Sequence, residues 1–256
     1  MTPIQTHPRE ALAADRGARP WRTETIETLR LAWPMALTQL GQIAMMTTDL
    51  AMLGRLGDRV VAAASLAHTI LFAAFVLGMG LVSAVAPLAA QAFGAGDARG
   101  VRNALRVGLW ATALVGAPLT LAMFAGEPAL LALGQDPEAA ALAARYLHGL
   151  AFSLVPAWVF IALRGFMGAV NRPEPALWIM LAAVPVNAAL AYGLIYGAFG
   201  LPRLDLLGAG LATTIVNLGM CAIGFHIALT RAPFRKYRIF GEFMVWDWPL
   251  MRRLLV

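Results

Sequence analysis

Asp49 has the clearest chemical potential of any residue in this chain, because it lies well inside an apolar segment, TQLGQIAMMTTDLAMLG. A charged acid at the centre of a bilayer-spanning helix costs about 2.5–3.5 kcal/mol, so such acids are rare and usually face a cavity that uses the charge. This position favours transport as a first hypothesis. Because Gly54, Arg55 and Gly57 follow soon afterwards, an acid that reaches interfacial water near a helix end is the alternative.

The residues before Asp49 suggest a polar stripe and a bend in the same helix. Gln39, Gln42, Met46 and Asp49 follow a 3–4–3 spacing, which places them near one face of a helix. A polar stripe is unfavourable against lipid, so these three neighbours are predicted to line a cavity inside the bundle. Pro34 lies about four turns before Asp49 and removes a helical N–H, which predicts a bend at that position.

The composition indicates a membrane protein. Hydrophobic residues make up 60% of the 256 residues, charged residues only 13%, and the mean hydropathy is +0.69. A spanning helix needs about 20 mostly apolar residues, whereas strands of an outer-membrane barrel would alternate apolar and polar side chains. The predicted fold class is therefore an all-α bundle of six transmembrane helices, at roughly 31–54, 60–90, 102–125, 139–169, 175–199 and 207–229.

The distribution of basic residues orients these helices. If the N-terminus is cytoplasmic, only Arg55, Arg59, Arg145 and Arg203 of the 20 Lys and Arg residues lie outside. This follows the positive-inside bias and predicts a multi-pass protein of the inner (plasma) membrane with both termini in the cytoplasm. The net charge of +6 is explained by the same bias, so nucleic acid is not an expected partner.

The chain divides into three predicted regions. Residues 1–28 are polar and form a cytosolic tail without a cleavable signal, residues 29–230 form the six-helix lobe, and residues 231–256 form a cytoplasmic linker. From residue 244 onward the sequence weakly resembles the approach to the first span, and many transporters contain internal repeats. This pattern predicts half of a transporter, from a truncated or disrupted gene, whose partner is a missing second lobe or a second copy of the chain.

Enzymatic and channel functions are not expected. Cys221 is the only cysteine, so neither a disulfide nor a thiol metal cluster is predicted. The three serines, Ser65, Ser83 and Ser153, do not lie in a nucleophile motif, which argues against a six-span intramembrane protease. The N-P-A signature of water channels is missing, since Asn187 is followed by two alanines. No cofactor is predicted.

Six segments, in order, resemble the multidrug and toxic compound extrusion (MATE) transporters, particularly their NorM-like branch. The resemblance covers residues 25–230. The matching segments are LAWPMALTQL, TTDLAMLGRLG, VSAVAPLAAQAFGAGD, FMGAVNRPEPALW, PVNAALAYGLIYG and LLGAGLATTIVN.

The resemblance implies one lobe of a twelve-helix, inverted-V transporter. It assigns cation-linked helix bending to Pro34 and Asp49, and it adds Asn187 and Thr213 to Asp49 as a site for the coupling ion, sodium or a proton. Interhelical hydrogen bonding is the alternative role for Asn187 and Thr213. Ala191 stands where some members carry a second acid or amide, so the site has one carboxylate and the choice between sodium and proton stays open.

The resemblance also implies the substrates. A cavity with one acid and no clear deep cation favours the export of cationic, amphiphilic drugs and toxic compounds, with membrane lipids as the other contacts. A flippase of lipid-linked precursors from the same superfamily, with a more cationic cavity, is the rival function.

Overall fold

The all-α fold predicted from the sequence is confirmed. The computed structural model describes residues 21–239, and no β-strand occurs in that range. Two short 3₁₀ turns, Ala151–Ser153 and Phe234–Tyr237, accompany the helices. The helices are α1 (Trp21–Gly54), α2 (Asp58–Ser83), α3 (Val85–Gly94), α4 (Ala98–Met123), α5 (Gly126–Ala132), α6 (Pro137–Leu150), α7 (Leu154–Ala169), α8 (Glu174–Tyr196) and α9 (Asp205–Thr230).

Five helical stretches between residues 21 and 239 are long and apolar enough to cross a membrane. They are α2 with α3, α4, α6 with α7, α8, and α9, and they coincide with the predicted second to sixth spans. The predicted first span lies in α1, a helix of 34 residues that is less apolar than the other five. Its hydropathy is lowered by Gln39, Gln42 and Asp49, which are the polar residues of the predicted stripe.

Two of the predicted spans are interrupted, and a proline accounts for each interruption. Pro87 has no N–H for the carbonyl of Ser83, and the helix changes there from α2 to α3. Pro156 likewise leaves the carbonyl of Phe152 without its helical donor, and the 3₁₀ turn between α6 and α7 lies at this point. The hydroxyl of Ser153 donates a 2.6 Å hydrogen bond to the carbonyl of Leu150, which stabilises the turn.

The ends of the lobe differ from the predicted boundaries. The tail was expected to reach residue 28, but α1 begins at Trp21, because no Gly or Pro interrupts the chain between Pro20 and the apolar span. After α9, Phe234 and Tyr237 are buried and their rings lie 5.8 and 5.6 Å from that of Phe166. The start of the predicted linker is therefore part of the lobe. The proposed tail up to residue 20 and the second-lobe start from residue 244 lie outside the described residues.

Glycines bring α9 close to its neighbours. A Cβ placed on Gly210 would lie 2.9 Å from backbone atoms of Gly149 in α6, and one on Gly208 would lie 2.4 Å from the carbonyl oxygen of Leu194 in α8. Neither helix backbone can move away without losing packing elsewhere. At the same crossing, Thr214 donates a 2.7 Å hydrogen bond to the carbonyl of Gly149. These contacts fix the first half of α9, which also carries Thr213.

Substituting Gly210 tests this close approach. We expect Gly210→Ala to destabilise the lobe by about 1–3 kcal/mol, because the added methyl group forces the α6 and α9 backbones apart. Gly219→Ala is the matched control on the same helix, since a Cβ at Gly219 meets no atom within 4 Å. Thermal unfolding of the purified protein in detergent measures both. Equal melting temperatures for the two variants would show that the crossing is not tight.

Candidate functional site: a buried carboxylate between three helices

Asp49 lies on the face of α1 that packs against α8. The buried residues of this face are Pro34, Thr38, Gly41, Met45, Asp49 and Leu53, and Asp49 is only 5% exposed. At Gly41 the two helices come close, because a Cβ at this position would lie 2.7 Å from Cγ of Met180 in α8. The acid is therefore held inside the lobe and does not reach interfacial water.

The stripe predicted around Asp49 is only partly correct. Gln39 and Met46 are exposed, so these two residues do not line the interior of the lobe with Asp49 as expected, whereas Gln42 is half-buried. Each residue advances about 100° around an α-helix, and the 3–4–3 spacing leaves Gln39 and Met46 some 60–80° away from Asp49. That difference is enough to place them on the outer surface of the lobe.

The carboxylate of Asp49 accepts hydrogen bonds from two other helices. Nδ2 of Asn187 in α8 donates to Oδ1 at 2.6 Å, and Oγ1 of Thr213 in α9 donates to Oδ2 at 2.9 Å. Asn187 is completely buried and Thr213 is half-buried. The structure thus brings together the three residues that the sequence resemblance assigned to one site.

The two residues that donate hydrogen bonds to Asp49 also have other possible hydrogen-bond partners. The Thr213 hydroxyl has a second acceptor, the carbonyl of Ala209 at 3.2 Å, although its single hydrogen can serve only one acceptor at a time. Oδ1 of Asn187 is buried and has no hydrogen-bond partner among the described residues. A buried amide oxygen without a partner is costly, and a cation or a donor proton would satisfy it.

The charge of Asp49 has no fixed counter-charge in the described part of the chain. No Lys, Arg or His between residues 21 and 239 forms an ion pair with it, and the buried Ala191 one turn after Asn187 adds no polar group. A buried carboxylate that is held only by neutral donors gains from a mobile cation. The site offers carboxylate, amide and hydroxyl oxygens, which suit a hard cation such as sodium.

The site does not resemble a transition-metal centre. No group of three His, Cys, Asp or Glu side chains suitable for a metal ion occurs among residues 21–239. The nitrogen and sulfur ligands that zinc or copper prefer are therefore not assembled around Asp49.

Pro34 lies in the same buried face, and Thr38 modifies the turn that follows it. The Thr38 hydroxyl donates a 2.7 Å hydrogen bond to the Pro34 carbonyl one turn earlier. Such a bond from a Thr to the preceding turn often bends a helix, and Pro34 also leaves the carbonyl of Arg30 without its helical donor. Two local features therefore weaken α1 at this point, and the role of Pro34 in bending stays a prediction.

Sequence reasoning missed Tyr196, which joins α8 to the end of α1. Its hydroxyl donates a 2.7 Å hydrogen bond to the carbonyl of Met52, three residues after Asp49. The bond joins residues 144 positions apart in the chain, and a tyrosine at the end of an apolar helix looks like an ordinary interfacial residue. Only the packing of α1 on α8 reveals it.

The sequence matches a family model and several curated relatives over most of its length. The sequence model of the MatE family matches residues 34–193. The chain is 67% identical over 235 residues to the probable multidrug resistance protein NorM of Rhodopseudomonas palustris, and 61% identical over 232 residues to that of Bradyrhizobium diazoefficiens. These alignments cover 92% and 91% of this chain but half of each relative, so the chain spans about half the length of the curated relatives it matches.

Solved structures agree on the fold. The lobe superimposes on the eukaryotic MATE transporter AtDTX14 with a TM-score of 0.81 and 21% sequence identity, covering 91% of this chain and 51% of that one. A Vibrio cholerae MATE transporter, VcmN in the bent form, gives 0.76 and 19%, with coverage of 90% and 50%. These relatives are named as multidrug resistance proteins and not as enzymes, as the sequence led us to expect. By its sequence this chain belongs to the MatE family, and its fold agrees with that of solved MATE structures.

Proposed function

We propose that this chain is the N-terminal half of a cation-coupled antiporter that exports cationic, amphiphilic drugs and toxic compounds. The observation that carries the proposal is the buried Asp49 carboxylate, which is held by Asn187 and Thr213 and forms no ion pair with a Lys, Arg or His among residues 21–239. Its coupling ion is sodium or a proton. The proposed setting is the inner membrane, with both termini in the cytoplasm.

Cation binding would change the hydrogen bonds that join three helices. A negatively charged Asp49 accepts from both Asn187 and Thr213, whereas a neutralised carboxylate attracts these donors less strongly. The Thr213 hydroxyl can then turn to the Ala209 carbonyl, which already lies 3.2 Å away. The attachment of α1 to α9 would weaken, and α1 could bend at Pro34. An ion shifts this equilibrium only as far as its affinities for the two states differ.

A single carboxylate also explains how an ion and a cationic drug could exchange. An ion bound at Asp49 neutralises its charge, so it reduces the electrostatic attraction for a cationic drug held nearby. In this mechanism the drug need not touch Asp49, because the bend of α1 alters the cavity beside it. The exposed residues Gln39 and Met46 lie on the outer face of α1, where a second lobe would meet them.

Asp49→Asn tests the ion site directly on this chain. We expect sodium to raise the melting temperature of the purified wild-type protein. At ten times its dissociation constant, sodium should raise the free energy of unfolding by up to about 1.4 kcal/mol. The increase should shrink at acidic pH, since protons compete for the same carboxylate. Asp49→Asn removes the charge while keeping the shape, and it should abolish the sodium effect. Thermal unfolding in sodium against potassium chloride measures this.

Asp58→Asn is the control for that experiment, because Asp58 is an exposed acid in the first turn of α2. It should respond to sodium as the wild type does. A sodium response retained by Asp49→Asn would remove Asp49 from the site. A wild type insensitive to sodium, but stabilised on acidification through Asp49, would assign the coupling to protons.

Tyr196→Phe tests whether the α1–α8 contact positions Asp49. Loss of its hydrogen bond to Met52 should destabilise the lobe by about 0.6 kcal/mol and weaken ion binding roughly threefold, because the end of α1 is held less firmly. Tyr192→Phe is a matched control, since Tyr192 lies one turn earlier and its hydroxyl forms no hydrogen bond with the described residues. Ion titrations that give both variants the same dissociation constant would limit Tyr196 to a packing role.

The chain alone is predicted not to transport. Substrate paths in two-lobed transporters lie between the lobes, and an isolated lobe exposes Gln39 and other polar groups that a second lobe would cover. We expect the isolated chain to self-associate or to be degraded, and to confer no resistance on a drug-sensitive strain without efflux pumps. Crosslinking in the same cells measures its oligomeric state. Resistance from a monomer would contradict the half-transporter proposal.

A further inference from the structure

A groove runs along the outer seam between α8 and α9. It encloses about 610 Å³ and spans residues 174 to 190 of α8, a rise of about 24 Å at 1.5 Å per residue. Small and large apolar residues both line it. We call the small residues Ala182, Ala183 and Gly219 its floor; the large ones include Trp178, Val186, Ile215 and Ile223 and the buried Ile179, Val216 and Met220.

One end of the groove carries two opposite charges. Glu174 is the first residue of α8 and Arg231 directly follows α9, and among residues 21–239 they are the only charged residues that line the groove. Neither forms an ion pair with any residue between 21 and 239. Trp178 lies one turn further along α8 and is 68% exposed, which is typical of an indole at headgroup depth. The groove is therefore amphipathic, with a zwitterionic end and an apolar body.

This groove is separate from the Asp49 site. Met180 and Val184 face α1, while Ala182 and Val186 face the groove, so the two surfaces lie nearly half a turn apart around α8. A ligand in the groove would contact neither Asp49 nor Thr213. Its binding can be measured whether or not the proposed coupling function is correct.

We propose that the groove binds one phosphatidylethanolamine molecule of the surrounding membrane. An acyl chain lies along the floor, the phosphate pairs with Arg231, and the primary ammonium group donates hydrogen bonds to Glu174. The length suits this occupant, because the groove is longer than the roughly 15 Å half-thickness of a bilayer's hydrocarbon core. A groove in the membrane is filled by lipid unless protein covers it, and its charged end decides which lipid binds best.

The charges select ethanolamine over two other common headgroups. Phosphatidylglycerol has a phosphate for Arg231 but no cation for Glu174, whose carboxylate would face an anion. Phosphatidylcholine has both charges, yet its quaternary ammonium has no N–H to donate to Glu174. A protein helix in the groove would need a charged pair at the matching depth. The lipid carries both charges in one headgroup.

Native mass spectrometry of the detergent-purified chain tests the site. The probes are phosphatidylethanolamine, phosphatidylcholine and phosphatidylglycerol with identical acyl chains. We expect the ethanolamine lipid to bind most tightly to the wild type and about fivefold more weakly to Arg231→Gln. Glu174→Gln should reduce the preference for ethanolamine over the other two lipids. Arg235→Gln is the matched control, since Arg235 is exposed at the same end but does not line the groove.

A second variant blocks the groove without crowding the core. A Cβ at Gly219 meets no atom within 4 Å, so Gly219→Leu should fill the floor and lower the affinity for all three lipids while the melting temperature stays near that of the wild type. Gly80→Leu is its control, because Gly80 also has open space but lies on α2.

Three results would overturn the proposal. Equal affinities of the wild type for the three lipids would remove the headgroup selectivity. Unchanged lipid binding in both Arg231→Gln and Gly219→Leu would place the lipid elsewhere. A Gly219→Leu variant that loses self-association but keeps its lipid would identify the groove as a protein interface instead.

Discussion

The burial of the Asp49 carboxylate, which has no fixed cation beside it in the described part of the chain, is the constraint on which the rest of this lobe depends. Two neutral donors, from α8 and α9, hold Asp49 of α1, so three helices must meet at one point. Burying a lone carboxylate costs far more than two neutral hydrogen bonds return. The fold therefore concentrates an electrostatic imbalance at this junction, and any cation that reaches it changes the energy of the junction more than a change in ordinary packing would.

Packing, not hydrogen bonding, keeps the junction in place. Interhelical hydrogen bonds in membrane proteins contribute about 0.6 kcal/mol on average, so the bonds of Asn187 and Thr213 alone could not fix three helices. The contacts of Gly208 with Leu194 and of Gly210 with Gly149 bring the backbones of α8, α9 and α6 together. Thr213 follows Gly210 by one turn, and its distance from Asp49 is set by that crossing. The glycines thus determine how close the helix backbones lie, while Asp49, Asn187 and Thr213 determine how the junction responds to a change of charge.

The sequence identified the centre of the site but not its surroundings. Asp49 stands out because a carboxylate in an apolar run is rare, and the helices follow from their lengths and hydropathy. Asn187 and Thr213 lie 138 and 164 residues away from Asp49, and only the resemblance to a known family linked them to it. Tyr196 was missed because its partner is a backbone carbonyl, which no side-chain pattern reveals. Gln39 and Met46 were misplaced because a rotation of 60–80° separates neighbouring stripes on a helix.

The polarity of α1 determines how this helix is held in the lobe. The other spanning stretches are apolar enough to be held in a bilayer by their own hydrophobicity, whereas α1 contains Gln39, Gln42 and Asp49 and packs mainly on α8. Its attachment to the lobe therefore depends on the close packing at Gly41, on the Tyr196 hydrogen bond and on the Asp49 contacts. Of these, only the Asp49 contacts depend on charge. Pro34 and Thr38 weaken the same helix about three to four turns from Asp49. The helix that carries the buried acid is thus the least apolar of the spanning stretches between residues 21 and 239, and its hold on the lobe combines close packing with one contact that depends on charge.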